Sequence, residues 1–165
     1  MKKVFSLLFI LALTGCYQLG EIRPTSMRSI HKLAVPTFRN STLTPRVEVR
    51  LADITIRMLQ NDGTYEIVPE DKADAILECK LVEVSRLDIL SSTTNIYTTQ
   101  QFSLQIKVEY QVLNRITGTI LQSGTANGTT TYYVTNDLVS DERQAFPLAA
   151  RVMATSLVNQ LTQGW

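Results

Sequence analysis

The sequence predicts an α+β two-layer sandwich, in which a four- to five-stranded mixed sheet, mostly antiparallel, carries two helices packed on one face. Residues 101–112 alternate strictly between polar and apolar side chains, which is the period of a half-buried strand. Residues 44–61 and 140–161 place apolar side chains three and four apart, which is the period of an amphipathic helix. The order strand, helix, three or four strands, helix favours helices segregated on one side of an antiparallel sheet.

The first strand and the first helix come from the amino-terminal half of the chain. Residues 31–36 are mainly apolar and stop at Pro36, as expected of a buried strand. Thr44 is the expected cap of the helix, because its hydroxyl can accept from free backbone N–H groups, and Pro45 suits the first turn. The apolar stripe that should face the sheet is Val47, Leu51, Ile54 and Met58.

The second and third strands follow the helix. Residues 65–69 are predicted as a short strand, and residues 73–90 as a long one. Alternate positions of the long strand are apolar as far as Leu81, after which the apolar positions move to Val82 and Val84. A change of face within one strand predicts a β-bulge at this point.

Two long strands and a helix complete the predicted domain. The strand at 101–112 comes first, and Thr117-Gly118 supplies the turn into a last strand at about 119–135. Ser140 is the expected cap of the carboxy-terminal helix. Pro147 either begins this helix or kinks it, and the pattern leaves both alternatives open.

The amino terminus predicts a cleaved lipoprotein signal peptide over residues 1–15. Two lysines, about ten apolar residues and small residues before a cysteine form the pattern, and the apolar run is shorter than a membrane-spanning helix. The sequence Leu13-Thr14-Gly15-Cys16 matches the lipobox of bacterial lipoproteins, so Cys16 is the predicted site of lipidation. We expect residues 16–28 to be a lipidated tether and residues 29–165 to be one domain.

Composition and motifs argue against catalysis. The chain has nearly equal numbers of basic and acidic residues and no basic cluster, so no nucleic-acid partner is expected. His31 is the only histidine, and the sequence has no phosphate-binding glycine loop, nucleophile elbow or zinc-ligand spacing. We therefore expect no enzyme activity, no cofactor and no metal site.

Several segments together resemble the LptE family, the small lipoproteins of lipopolysaccharide assembly at the outer membrane. They are residues 17–19 directly after the lipobox cysteine, residues 33–42 around a V-P-x-F-x-N-x-T pattern, residues 65–68 and residues 73–77. The resemblance implies a non-enzymatic protein that sits inside the β-barrel protein LptD, plugs its lumen, helps it fold, binds lipopolysaccharide and assists its delivery to the outer leaflet. A neutral domain with polar strand faces fits such a wet interior.

The resemblance also implies where lipopolysaccharide is contacted. In the family, basic side chains in two neighbouring regions are implicated, and these regions correspond to residues 86–98 and 132–140. This sequence departs from that pattern, because Arg86 is the only basic residue in either region. The candidate contacts for ligand or partner are Arg86, Asn95, Tyr97, Tyr133 and Asn136.

An alternative partner is a peptidoglycan synthase, because its lipoprotein activators carry a stretch similar to residues 33–42. Such activators usually need a long tether to cross the periplasm. Here about a dozen residues follow Cys16 before the first strand, which is roughly 40 Å of fully stretched chain. Tyr17 rather than Asp follows the cysteine, as in lipoproteins of the outer membrane. The expected location is therefore the outer membrane, with Cys16 acylated in its lipid and the domain facing the periplasm or lying inside a barrel lumen.

Overall fold

The computed structural model of the protein describes residues 23–90, 100–134 and 137–163. Within them a mixed sheet of six strands carries two long helices, which confirms the predicted α+β fold. The strands are β1 (Lys32–Ala34), β2 (Arg39–Asn40), β3 (Glu66–Ile67), β4 (Ala75–Leu90), β5 (Gln100–Asn114) and β6 (Ile120–Val134). The helices are α1 (Glu48–Asp62) and α2 (Leu138–Gln163), and short 3-10 turns occupy Thr25–Met27 and Glu70–Lys72.

The sheet combines a parallel part and an antiparallel meander. Its strand order is β3-β1-β4-β5-β6. Strand β1 runs parallel to both of its neighbours, whereas β5 runs antiparallel to β4 and β6 runs antiparallel to β5. The short strand β2 also pairs in parallel with β4, where Arg39 lies opposite Lys80. The strand count exceeds the predicted four to five because the chain after Pro36 returns to β4 for only two residues, which is too short to leave a periodic signal.

The predicted bulge in β4 is present. The pairing of β4 with β5 shifts between Leu81 and Glu83, after which Val84 lies opposite Ile106. An extra residue in one strand reverses the faces of all residues that follow it. Arg86, two residues after Val84 and opposite Leu104, therefore lies on the helix-covered side of the sheet.

One hydrophobic core lies between the sheet and the helices. It takes side chains from the inner positions of β4, β5 and β6, from both helices and from the segment before β1. Met27 is fully buried there, although it belongs to the stretch predicted as a tether. Part of the chain before residue 29 therefore packs against the domain. The predicted boundary between tether and domain, at residues 28 and 29, stays a prediction.

Helix α1 begins later than predicted. Thr44 and Pro45 precede the helix, which starts at Glu48 without a capping hydrogen bond from a side chain. Arg46 has φ of 61°, a left-handed conformation that a right-handed helix cannot pass through. The Asn40 side-chain amide also donates to the Thr44 carbonyl at 2.8 Å, which holds this segment in a turn.

Helix α2 begins earlier than predicted and is capped by Asp137 instead of Ser140. The Asp137 carboxylate accepts from the Val139 backbone N–H at 3.0 Å and from the Ser140 hydroxyl at 2.6 Å. The helix then continues to Gln163 with Pro147 inside it. Pro147 therefore does not begin the helix, and because it has no N–H the ladder of helical hydrogen bonds is interrupted at that residue.

Candidate functional site

Four side chains meet where the far ends of β4, β5 and β6 approach the beginning of α2. We call them the tip cluster, and they are Arg86, Phe102, Tyr132 and Glu142. Arg86 Nη1 lies 2.7 Å from Glu142 Oε2, and the Arg86 guanidinium lies 5.7 Å from the centre of the Phe102 ring. The rings of Phe102 and Tyr132 stack with their centres 5.9 Å apart. The cluster fastens the ends of three strands to the start of a helix.

Two groups of the tip cluster, Arg86 and Tyr132, have raised pKa values. The hydrogen bond from Arg86 to Glu142 raises the pKa of the Arg86 guanidinium above its usual value. Burial raises the pKa of the Tyr132 hydroxyl, and the neighbouring Glu142 carboxylate raises it further. Neither the Arg86 guanidinium nor the Tyr132 hydroxyl therefore changes its protonation near neutral pH.

The structure separates the predicted contact residues that it describes. Arg86 lies on the helix-covered side of the sheet, where its guanidinium already donates a hydrogen bond to the Glu142 carboxylate. Tyr133, next to the buried Tyr132, points to the opposite side and is 57% exposed. Both lie near the same end of the sheet, but they do not form one site. The other predicted residues, Cys16, Asn95, Tyr97 and Asn136, lie outside the described residues.

Sequence reasoning missed the partners of Arg86. Phe102 was recognised only as an apolar position of its strand, and Glu142 only as part of a helix. The bulge gave a usable signal, because a change of face after Leu81 places residue 86 on the helix side. Glu142 is 56 residues away in the chain, and no local pattern connects the two.

On β5 and β6, the side of the sheet that faces away from the helices is mostly polar and carries two charged residues. On β5 and β6 we call this the outward face, and it presents hydroxyl and amide side chains over the length of both strands. Its hydroxyl and amide members include Gln105, Gln111, Ser123, Thr125, Asn127, Thr129 and Thr131, with buried Ser103 and exposed Tyr133 at the far end. Lys107 and Glu109 are the only charged residues of the two strands.

A shallow open depression of about 490 Å³ lies on the same side of the sheet, toward the beginning of β4. Glu78 organises it by accepting from the Gln111 side-chain amide at 3.0 Å, and its carboxylate lies 3.8 Å from the Arg39 guanidinium. The polar side chains around it are Arg39, Glu78, Lys80, Glu109, Gln111, Ser123 and Thr125. Mixed charges of both signs do not favour an anion or a cation, and no nucleophile and base are paired there.

The chain enters the domain at the end opposite the tip cluster. The Arg23 guanidinium donates to the carbonyls of Ile30 and Thr64, both at 2.9 Å, beside the beginning of β1. β1 pairs with the first residues of β4, whereas Arg86 lies near the other end of that strand. At about 3.3 Å per residue, the 16 residues of β4 span about 50 Å between the two ends.

No helix among the described residues is long and apolar enough to cross a bilayer. No group of three or more histidine, cysteine, aspartate or glutamate side chains among them is arranged to hold a metal ion.

Comparison with protein families shows the family to which the chain belongs. The model of LptE, described as lipopolysaccharide-assembly, matches residues 30–162, which is most of the sequence. The chain belongs to the LptE family. Membership makes it an envelope lipoprotein of the LptE type, in a family of non-enzymatic proteins.

Solved structures share the fold of this family member at low sequence identity. A protein from Xanthomonas campestris is 15% identical, with a TM-score of 0.57 over 88% of this chain and 90% of that one. A minor lipoprotein from Acinetobacter baumannii is 13% identical, with a TM-score of 0.55 over 82% and 94%. A putative lipoprotein from Caulobacter crescentus is 12% identical, with a TM-score of 0.54 over 80% and 89%. At these identities the likeness concerns the fold alone. Comparison with curated proteins gives no match.

Proposed function

We propose that this protein is an outer-membrane lipoprotein that plugs the lumen of an LptD-like β-barrel, helps the barrel to assemble and assists the transport of lipopolysaccharide to the outer leaflet. Its anchor is an acylated Cys16. The observation that carries the proposal, beside membership of the family, is the polar and weakly charged outward face.

The outward face suits contact with the inner wall of a barrel. The interior of a transmembrane barrel is polar, because its strands alternate apolar residues toward lipid and polar residues toward the lumen. Hydroxyl and amide side chains can exchange hydrogen bonds with such a wall directly or through water. Burying Ser, Thr and Gln side chains there costs less desolvation than burying a row of charges.

The length of the sheet supports a role that reaches across the membrane. The hydrocarbon core of a bilayer is about 30 Å thick and the whole bilayer about 40–45 Å, whereas β4 alone spans about 50 Å. The seven residues from Cys16 to Arg23 can stretch over at most about 25 Å. With the entry end held near one leaflet, the end that carries the tip cluster lies at the level of the other leaflet.

Contact with lipopolysaccharide is assigned to Arg86 and Tyr133 at this far end, and to Asn95, Tyr97 and Asn136, which lie outside the described residues. Phosphate binding by Arg86 requires its guanidinium to share or leave Glu142, because the pair is formed at 2.7 Å in the free protein. The other four residues supply hydroxyl and amide groups, which suit sugars better than phosphates. We therefore assign saccharide contact to this end before phosphate contact.

A pull-down with a matched pair of variants tests the plug. Full-length protein with a carboxy-terminal tag is recovered from gently solubilised envelopes, and co-purifying proteins and lipopolysaccharide are measured. Gln105→Trp adds bulk on the outward face, and Gln60→Trp adds the same bulk on exposed α1. We expect the wild type and Gln60→Trp to recover a large outer-membrane barrel, and Gln105→Trp to recover several-fold less of it.

The same pull-down separates the two candidate partners. Recovery of a penicillin-binding protein in place of a barrel would favour the peptidoglycan synthase activator and contradict the plug. Depletion of the protein should also raise permeability to bulky hydrophobic antibiotics, because lipopolysaccharide assembly fails. An unchanged permeability barrier would count against the proposal.

The lipid anchor has a separate test in the two cysteines of the chain. Cys16→Ser should remove the acyl groups from the mass of the mature protein and release it from membranes. Cys79→Ser is the matched control, because Cys79 is buried in the core and should leave lipidation unchanged. An acylated Cys16→Ser protein would contradict the assignment.

A further inference from the structure

Strand β6 is the outermost strand of the sheet on one side. Among the described residues it pairs with β5 alone, along almost its whole length from Ile120 to Val134. It contains no charged residue and no proline. Open edges of this length are usually protected by such residues or by a covering segment, because their free N–H and C=O groups pair readily with another strand.

Hydrogen bonds from helix α2 to the backbone of this edge strand involve only the first part of the strand, although the helix also packs on its inner face at Gly128. The Gln160 side-chain amide donates to the Thr125 carbonyl at 3.1 Å, and the Gln122 side-chain amide donates to the Gln160 carbonyl at 2.8 Å. No comparable bond from α2 reaches the described residues from Asn127 to Val134. Within residues 23–90, 100–134 and 137–163, these eight residues of edge have no partner strand on their free side, and this length exceeds that of a common strand.

The flank of α2 beside the open edge carries exposed apolar side chains. Ala149 and Met153 lie directly on Gly128 of β6, so their neighbours Leu148 and Val152 lie on the adjoining surface of the helix. Leu148 is 53% exposed and Val152 is 49% exposed. Toward the end of the helix, Val152 also borders a shallow groove of about 450 Å³.

The two sides of the open edge therefore differ in chemistry. On the helix side an added strand would meet Leu148 and Val152, whereas on the outward face it would meet Asn127, Thr129 and Thr131. Because successive side chains of a strand point to opposite faces, such a strand fits best when apolar and polar residues alternate. Main-chain hydrogen bonds supply affinity in this mode of recognition, and contacts to alternate side chains supply specificity.

We infer that the open edge of β6, from Asn127 to Val134, binds an extended strand of alternating apolar and polar residues by adding it to the sheet. Transmembrane barrel strands have this alternation, and their edges are free until the barrel closes. The occupant is an unclosed strand of the barrel partner. This inference rests on the proposed function and gives it a mechanism, since a templated strand is protected from aggregation while the barrel assembles.

A labelled peptide tests the edge directly. The probe is a peptide of alternating threonine and valine, nine residues long and flanked by lysines, and its binding to the full-length protein in mild detergent is followed by fluorescence anisotropy. Thr129→Lys places a charge on the edge strand. Gln105→Lys is the matched control, because Gln105 lies opposite Thr129 on β5, on the same face but one strand further in.

We expect the wild type and Gln105→Lys to bind the peptide equally and Thr129→Lys to bind it at least tenfold more weakly. Val152→Asp should weaken binding as well, while a peptide with its valines and threonines in two blocks should bind poorly to all forms. Equal loss in Thr129→Lys and Gln105→Lys would overturn the inference, because it would place binding on the face of the sheet. A dimer of the wild type that Thr129→Lys dissolves would also overturn it, by assigning the edge to a second copy.

The outcome is distinguishable from a failure of the proposed function. Peptide binding that depends on Thr129, without recovery of a barrel in the pull-down, would support strand binding at the edge of β6 and contradict the proposed plug. Recovery of a barrel with no peptide binding would support the proposed plug and contradict strand binding at the edge of β6.

Discussion

Gly128 of β6 lies directly against Met153 of α2. A β-carbon on residue 128 would come within 2.5 Å of the Met153 backbone nitrogen and would also collide with the Ala149 carbonyl oxygen. The helix backbone therefore rests on the strand backbone, and Ala149 and Met153 are both fully buried at the contact. This approach fixes the position of α2 over the sheet edge.

Gly128→Ala should lower the free energy of unfolding by about 2–3 kcal/mol, because backbone atoms must move to admit the methyl group. Urea unfolding followed by circular dichroism measures the change. Gly124→Ala is the matched control, since its β-carbon would meet the side-chain ends of Tyr110 and Gln160, at 2.8 Å and 3.0 Å. Those ends can move, so the control should lose much less, and equal losses would contradict the backbone contact.

Thr55→Val should leave the protein as stable as the wild type or raise its free energy of unfolding by up to about 1 kcal/mol. The Thr55 hydroxyl is fully buried in α1 and finds no hydrogen-bond partner among the described residues, and an unsatisfied buried hydroxyl is destabilising. Thr55→Ser keeps the hydroxyl and removes a buried methyl group, so it should lose about 1 kcal/mol. Thermal and urea unfolding compare the two variants. A clear loss of stability in Thr55→Val would indicate that the hydroxyl has a partner.

A double-mutant cycle on Arg86→Met and Glu142→Gln should give a coupling energy of no more than about 1 kcal/mol. The side chains are 43% and 33% exposed, and solvent weakens ion pairs at such sites. The coupling should shrink further in 0.5 M salt. The Arg39–Glu78 pair is the control, because it is longer at 3.8 Å and its arginine is 77% exposed, so its coupling should be smaller. A coupling of several kcal/mol between Arg86 and Glu142 would contradict the expectation that solvent weakens this ion pair.

Asp74→Asn should destabilise the protein at neutral pH, by about 1–2 kcal/mol, and this difference should vanish in acid. The Asp74 carboxylate accepts from the Lys32 and His31 backbone N–H groups at 2.9 and 3.0 Å, and these bonds lower its pKa. A lowered pKa stabilises the fold above the ordinary pKa of the group, and the contribution is lost as pH falls through the folded value.

Unfolding by urea at pH 7, 5 and 3 measures the effect of Asp74. Asp71→Asn is the control, because Asp71 is an exposed residue of the preceding turn. A difference between wild type and Asp74→Asn that grows as pH falls would contradict the assigned hydrogen bonds.

Much of the fold could be predicted from local pattern. The strict alternation over residues 101–112 located β5, and the change of face after Leu81 located the bulge in β4. Burial of one face requires these periods, so the sequence must display them. Helix ends were predicted less well, because Arg46 and Asp137 act through backbone conformation and a local hydrogen bond that periodicity does not record.

The candidate site depended on tertiary structure to a greater degree. The family resemblance indicated residues 86–98 and 132–140 as neighbouring regions, but not that Arg86 and Tyr133 lie on opposite sides of the sheet. The partner of Arg86 comes from a helix 56 residues away.

The sequence by itself determined the order of strands and helices, the apolar and polar faces of the long strands, the neutral charge and the absence of catalytic motifs. Only the tertiary structure decided which residues meet, such as Gly128 with Met153 and Arg86 with Glu142. It also decided that β6 is the outermost strand of the sheet on one side, paired with β5 alone in the part of the chain that the structure describes. The physical reason is that a period records which face of an element avoids water, whereas the pairing of distant residues depends on how closely whole elements can approach each other.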